Sequence, residues 1–385
     1  ADITVLLVQK GADLNARDKD GESVLIRAAR ACSIDFVKFL IRNGADLDIK
    51  DKDGRTALMN AAYYNRTNII DLLIEKKSDL NVEDNGGVTA LIWAAYKGST
   101  NTAKLLIDLN IKDKDGVTAL IYTAEHNWTD IAKLLIGRKA DLNVADSERG
   151  TALGWAAYNG NTEIAKLLIE VGADLNIKDG YGKTPLIYAE EYNRTDTDVL
   201  LIRKGADLDM RNRDGSTALI YAASYNRKDI IDLLIEKGAD LNVEDNDGGT
   251  PLGWAAYKGN ADTARLLIEK GADLNMKYRA ALVYSVEFSR TDIAELLIDK
   301  GVDLNVRGEN GRPALIWAVY IGKADMALLL IEKGVGLKLK DKYGKTALIY
   351  SVEYNRTDIV GSEGIPNLDS PSPTSGKNEE NEKNT

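Results

Sequence analysis

A single Cys and a single His are all that 385 residues offer. One Cys cannot close an internal disulfide, and one Cys with one His cannot assemble the ligand sets that hold zinc. Imidazole proton transfer would rest on His126 alone. Long apolar runs are missing too: Thr4-Val5-Leu6-Leu7-Val8 is typical of the longest, well short of the roughly 18 residues of a membrane span. Basic residues are the minority, 50 Lys and Arg against 60 Asp and Glu for a net charge of −10, with no basic stripe. Such a field repels phosphates, so no nucleic-acid partner is expected, and the short apolar runs predict no membrane insertion. No pairing of nucleophile and base stands out, so the chain reads as non-catalytic, without cofactor or metal. The 44% hydrophobic fraction is enough for a folded core.

What is present is repetition. The phrase Gly-x-Thr-Ala-Leu recurs, and its Thr serves as an anchor. With substitutions the anchors are Ser23, Thr56, Thr89, Thr118, Thr151, Thr184, Thr217, Thr250, Ala280, Pro313 and Thr346. They are spaced by 33 residues except for two intervals of 29 and 30. The first short interval lacks a Lys-Gly-Ala-Asp turn between Asp108 and Leu109, and the second lacks its Asp-x-Asp approach between Lys277 and Tyr278. A fixed period in this range is the mark of a stacked repeat array.

Each period reads as helix, turn, helix and a hairpin-like loop. The anchor Thr suits an N-cap, and Pro185 and Pro251 after it suit the first helical position, where no donor is lost. Nine residues past the anchor stand Gly98, Gly160, Gly259 and Gly322, or Asn65, Asn127, Asn193, Asn226 and Asn355, residues that tolerate a left-handed turn. A second helix carries Ile-x-x-Leu-Leu-Ile, ends at a Gly such as Gly172 or Gly238, and gives way to Ala-Asp-Leu-Asn and Asp-x-Asp-Gly turns.

With Asp-x-x-Gly-x-Thr-(Ala/Pro)-Leu, Ala-Ala, Leu-Leu and Gly-Ala-Asp-Leu-Asn nearly whole at residues 214–242 and 247–275, the sequence resembles the ankyrin repeat family over about residues 1–360. The resemblance implies an all-α solenoid of helix–turn–helix units with hairpin loops, about eleven repeats long, that binds a protein partner as a scaffold or adaptor. One departure is systematic. The family usually places a His after the Leu of its Thr-Pro-Leu phrase, bonded to the turn; here Ile92, Ile121, Ile187, Ile220, Ile316 and Ile349, or Gly154 and Gly253, hold that place. An apolar contact is expected in place of the hydrogen bond.

Residues 1–18 read as half a repeat. The last repeat loses its Leu-Leu-Ile at Gly361-Ser362-Glu363-Gly364, and residues 361–385 form a polar, acidic tail whose composition predicts disorder. Frayed terminal repeats follow from ends without polar caps.

Numbered from the anchor, position +2 is Leu in all eleven repeats and +5 and +6 are mostly Ala; at 100° per residue these share one face. Positions +4, +7 and +8 lie about 160° away and should be polar. They are aromatic instead. At +4 stand Trp93, Trp155, Trp254 and Trp317 with Tyr122, Tyr188, Tyr221, Tyr284 and Tyr350; at +7 Tyr63, Tyr96, Tyr158, Tyr257 and Tyr320; at +8 Tyr64, Tyr192, Tyr225, Phe288 and Tyr354. Nineteen of the chain's 5 Trp, 17 Tyr and 3 Phe therefore share one side of the array. The +4 rings are expected to fill space between neighbouring helices. The +7 and +8 rings, which the resemblance puts on a concave surface, are expected to contact the partner, because Tyr and Trp give large contact area at low entropic cost. The partner-binding set is these +7 and +8 residues with the four tryptophans.

Other motifs have plainer readings. The triplets Asn65-Arg66-Thr67, Asn127-Trp128-Thr129, Asn193-Arg194-Thr195 and Asn355-Arg356-Thr357 mimic glycosylation signals but fall at the inter-helix turn, where Thr would cap the second helix. Asp51-Lys52-Asp53-Gly54 and Asp113-Lys114-Asp115-Gly116 lack the bidentate Glu of a calcium loop and read as hairpin tips. Cys32 is expected at an exposed turn, His126 among the surface rings, and Glu190, standing where other repeats have Ala, is expected to swing out or loosen its repeat. The expected protein is a monomeric cytoplasmic array. Because residue 1 is Ala, a targeting arm for an upstream enzyme or channel domain is the alternative, as is an effector delivered into a host cell.

Overall fold

The computed structural model describes residues 3–31, 33–106, 110–148, 150–276, 280–308 and 311–356. Among them run 22 helices, most of seven to nine residues, with β pairing limited to isolated bridges at Ala145–Thr151 and Arg307–Pro313. Two compact units are distinguished: residues 1–255 with 262–273, and residues 256–261 with 274–385.

The 33-residue period becomes an inner and an outer helix, as at Ala57–Tyr63 and Thr67–Glu75. The inner helix begins because the anchor caps it. Thr56 is extended, at φ −92 and ψ 173, and its hydroxyl accepts from the Met59 N–H; Thr89, Thr118, Thr151, Thr184, Thr217 and Thr346 repeat the arrangement. Ala280 and Pro313 offer no side-chain bond there. The inner helix ends in a left-handed residue, Asn65 at φ 53 or Gly160 at φ 77. A β-branched residue would be strained at such a position.

The threonines of the Asn-x-Thr triplets do not cap the outer helix as expected. Thr67, Thr129 and Thr195 are already its first residues, and Arg66, Trp128 and Arg194 sit at the cap without a side-chain bond. The left-handed Asn turns the chain so sharply that the helix starts one residue earlier. The position before Thr acts elsewhere: its side chain reaches back to the free carbonyls ending the preceding inner helix. Arg66 Nε donates to the Arg30 carbonyl at 3.1 Å, Arg194 Nε to Tyr158 at 3.0 Å and Asn161 Nδ2 to Ala124 at 2.7 Å. Carbonyls that a helix end leaves without partners are satisfied by the next repeat.

The core is the face at +2, +5 and +6. Leu25, Leu58, Leu91, Leu120, Leu153, Leu186 and Leu219 in the first unit, and Leu282 and Leu315 in the second, are all at most 3% exposed. Each such Leu contributes roughly 1.5–3 kcal/mol. Leu348 of the last described inner helix, Ala347–Glu353, is 73% exposed, and at the other end Ile3 is 75% exposed. These two helices have no paired outer or inner helix among the described residues. The tail 361–385, both short-interval junctions and Cys32 lie outside the described residues.

The loops knit the repeats. In Asp-x-Asp-Gly the first carboxylate accepts the backbone N–H two and four residues on, as Asp51 does from Asp53 at 2.9 Å and Arg55 at 2.8 Å. Those oxygens hold the hairpin tip. Tips then bond to one another: Lys52 N–H donates to the Asp20 carbonyl, Asn85 to Asp53, Lys114 to Gly86 and Ser147 to Asp115. In Ala-Asp-Leu-Asn, the Asn side-chain oxygen accepts from the Asp N–H of the next repeat, Asn143 from Asp174 and Asn176 from Asp207, both at 2.9 Å.

Glu190 neither swings out nor loosens its helix. It is fully buried, as is Asp198, which stands where Ile231 and Ala165 stand in neighbouring repeats. Arg227 of the next repeat lies 2.8 Å from Glu190 Oε2 and 2.7 Å from Asp198 Oδ2. The two misfits share one cation, and that is what keeps them inside. Burial, and then the neighbouring Asp198 charge, hold the Glu190 carboxyl well above the carboxylate range against the pull of Arg227. Burial raises Asp198 to about 7.

Candidate functional site: the ring-bearing face of the inner helices

Because +4, +7 and +8 point away from the packed face, the inner helices from Ala57–Tyr63 onward carry rings there, and within each unit neighbouring helices bring them into contact. In the first unit Tyr63 meets Trp93 at 5.3 Å between ring centres, Trp93 meets Tyr96 at 5.8 Å and Tyr96 meets Tyr122 at 5.9 Å. Further along, Tyr158 meets Trp155 at 5.7 Å, Tyr188 at 5.6 Å and Tyr192 at 4.4 Å. The second unit repeats the pattern: Tyr257 against Phe288 at 4.7 Å, Tyr320 against Trp317 at 5.7 Å and against Tyr354 at 5.1 Å. Most of these pairs are edge-on, the arrangement ring quadrupoles favour.

Exposure separates the positions. All five +8 rings are open to solvent: Tyr64, Tyr192, Tyr225, Phe288 and Tyr354, between 39% and 53%. At +7, Tyr96 is exposed and Tyr63, Tyr158, Tyr257 and Tyr320 are partly buried. At +4, Trp93, Trp155, Trp254, Trp317, Tyr122, Tyr188 and Tyr221 are partly buried, while Tyr284 and Tyr350 are buried. His126 joins the ladder at +8, its ring 5.8 Å from Tyr96, with Nδ1 3.1 Å from the Tyr122 carbonyl.

The +4 rings do more than fill space. Nine residues before most of them stands the hairpin Asp, whose second carboxylate oxygen accepts the ring's proton; before Trp317 stands Gly308, and the Trp317 Nε1 has no hydrogen-bond partner among the described residues. Trp93 Nε1 donates to Asp84 at 3.1 Å, Trp155 to Asp146 at 2.8 Å and Trp254 to Asp245 at 2.7 Å. Tyr122 donates to Asp113 at 3.2 Å, Tyr350 to Asp341 at 2.7 Å, and Tyr188 to Asp179. Where the hairpin residue is Asn212, its Nδ2 donates to the Tyr221 hydroxyl instead. In these repeats the hydrogen bond to the turn, expected to be lost with the family's His, is thus supplied one position later by a longer side chain. Burial first, with the adjoining carboxylate, pushes the Tyr122 and Tyr188 hydroxyls up, so both stay donors. Burial raises Tyr221 to about 12.

Cations sit on this face at fixed places. Arg55 lies 4.8 Å from the Trp93 ring centre and 3.9 Å from Asp84; Lys97 lies 4.1 Å from the Tyr63 ring centre. In the second unit Arg312 lies within 5.4 Å of three ring centres. Sequence reasoning passed over these cations and the role of the hairpin Asp. Both had a signal, the Asp at −5 and, for Arg55 and Arg312, a basic residue at −1 in register with the rings. Among the described residues no group of three or more His, Cys, Asp or Glu is placed to hold a metal ion. No described helix is long and apolar enough to cross a membrane.

A family model of ankyrin repeats, three copies long, matches the chain in overlapping placements from residue 1 to residue 361, among them residues 1–84, 138–212, 193–278 and 282–361. No curated protein matches it.

Proposed function

Since the chain belongs to the ankyrin repeat family, whose repeats generally serve protein–protein interaction and are typically non-catalytic, we propose that it is a non-catalytic scaffold or adaptor that binds a protein partner along the ring-bearing, concave face. The observation that carries this reading is the +8 row: Tyr64, Tyr192, Tyr225, Phe288 and Tyr354 stand at the same offset in five of the eleven repeats and are all exposed. A soluble array has no packing reason to hold such a row in water. Aromatic rings fixed by their neighbours lose little entropy on binding and form the usual anchors of an interface. The partner-binding residues are these five with Tyr63, Tyr96, Tyr158, Tyr257 and Tyr320, backed by Trp93, Trp155, Trp254 and Trp317. Residues 1–360 form the array and 361–385 a polar tail; the array acts as a monomer in the cytoplasm.

The test is quantitative binding to a partner recovered by affinity capture. A Tyr158/Tyr192/Tyr225/Tyr257→Ala variant, shown to be folded by circular dichroism, should bind at least tenfold more weakly. Unchanged affinity would move the binding surface elsewhere.

A further inference from the structure

Two of the chain's own arginines define a seat. Both immediately precede an anchor, and each lies against the +4 ring of the following repeat, Arg55 against Trp93 and Arg312 against Tyr350. Arg312 has its guanidinium carbon 5.0 Å from the Trp317 ring centre, 4.9 Å from Tyr320 and 5.4 Å from Tyr350. It also donates to the Tyr350 hydroxyl at 3.1 Å and lies 3.6 Å from Asp341. Arg55 makes the corresponding approach to Trp93 at 4.8 Å and Asp84 at 3.9 Å. The seat is therefore a set of ring faces closed at one end by the next hairpin's carboxylate.

The repeat anchored at Thr151 has the same walls without the arginine. Trp155, Tyr158, Tyr188 and Asp179 stand at the offsets of Trp317, Tyr320, Tyr350 and Asp341. The residue before the anchor is Gly150, and Gly154 takes the place of Ile316. What remains is a cleft of about 320 Å³ lined by Gly150, Gly154, Trp155, Tyr158, Asp179 and Tyr188. Lys183 also borders it, but its ammonium is held 2.5 Å from Glu191 and 5.2 Å from the Tyr188 ring centre. Its counterpart Lys345 is held the same way, 2.6 Å from Glu353 and 5.3 Å from Tyr350, beside an occupied seat. A lysine at that rim and a guanidinium in the seat are compatible.

We propose that this cleft receives an arginine side chain of the protein partner, its guanidinium lying against Trp155, Tyr158 and Tyr188 and facing Asp179. The proposal rests on the reading of the ring-bearing face as a protein-binding surface and names one chemical feature of the partner. Arginine fits better than lysine: a planar, weakly hydrated guanidinium stacks on ring faces while its in-plane donors reach a carboxylate, whereas a compact ammonium holds its water more strongly. Glu148 at the rim and the chain's net charge of −10 favour a basic segment.

The experiment titrates the whole chain with acetyl-Gly-Arg-Gly-amide while following tryptophan indole N–H signals by NMR. The Trp155 signal should shift saturably, and the citrulline peptide, equal in shape but uncharged, should bind at least tenfold more weakly. The Gly150→Arg variant supplies its own cation and should lose the response. An added Cβ there would lie 2.8 Å from Trp155 Nε1, so thermal unfolding checks that variant, and Tyr158→Ala gives a second one with the same expected loss. Arg149 adjoins the cleft in sequence but lies outside the described residues; the response should survive Arg149→Ala. Equal shifts with citrulline, or a response lost in Arg149→Ala, would overturn the proposal. If the partner's binding depends on Tyr192 and Tyr225 yet the arginine peptide leaves Trp155 unmoved, the seat fails and the interaction surface stands. If the peptide binds and the partner ignores the ring variants, the reverse holds.

Discussion

Two faces of the same short helix obey different rules. In the inner helix Ala218–Ser224, Ala222 and Ala223 are wholly buried, while Tyr225 at its end is 53% exposed. On the packed face the distance to the outer helix sets the residue, and +5 and +6 hold small side chains, mostly Ala, with Thr123, Val286 and Val319 among the larger ones that are still buried. On the other face the +8 side chains border solvent, yet large rings are there. Bulk on the first face meets the outer helix; bulk on the second meets the rings of neighbouring repeats and, at +8, solvent. Glu190 is the instructive exception, a carboxyl on the tight face that persists because Asp198 and Arg227 come with it.

The strongest way to break the comparison is to remove the cation. Arg227→Ala leaves two buried carboxyls without a counter-charge and should cost about 3–5 kcal/mol in urea unfolding. Adding Glu190→Ala and Asp198→Ala to that variant restores the Ala-lined face and should recover most of the loss; a triple variant as unstable as the single one would show that Arg227 matters only as a cap for the Glu190 carbonyl. Next, Leu219→Ala on the packed face, at 1% exposure, should cost about 2–5 kcal/mol by the same measurement.

The acid pair also sharpens the contrast through pH. Its carboxyls titrate higher folded than unfolded, so the native state binds more protons, and stability falls as pH rises. The window runs from the ordinary 3.8 of Asp198 to its raised value of about 7. Unfolding midpoints should drop across that range in the natural chain and flatten in Glu190→Ala/Asp198→Ala; a flat profile in both would mean the pair adds no net linkage. The smallest effect belongs to the open face: Tyr225→Ala should change stability by less than about 0.5 kcal/mol. A loss several times larger would make that ring structural and weaken its assignment to binding.

Legibility followed the range of the interaction. Thr56 as a cap and Asn65 as a left-handed turn are local matters, and the residue type alone pointed to them. The aromatic rows were visible as offsets from the anchor. The hydrogen bond from Trp155 to Asp146 was not, because ring and carboxylate are nine residues apart and meet only when the hairpin folds back on its own helix. The rescue of Glu190 was further out of reach, since Arg227 comes from the next repeat, 37 residues along. Thr67 was misplaced by one position because the geometry of a left-handed residue decides where the following helix starts.

Period, helix pairing and the identity of the packed face are properties of the sequence by itself: they depend on residue types at fixed spacing within one repeat, and the rise of a helix does the rest. Which rings stay wet, which carboxyl keeps its partner and which seat stands empty are decided only by stacking. Each of these sites takes its walls from two successive repeats, and the gap between them, filled by Arg312 in one place and left open at Gly150 in another, exists in no single repeat.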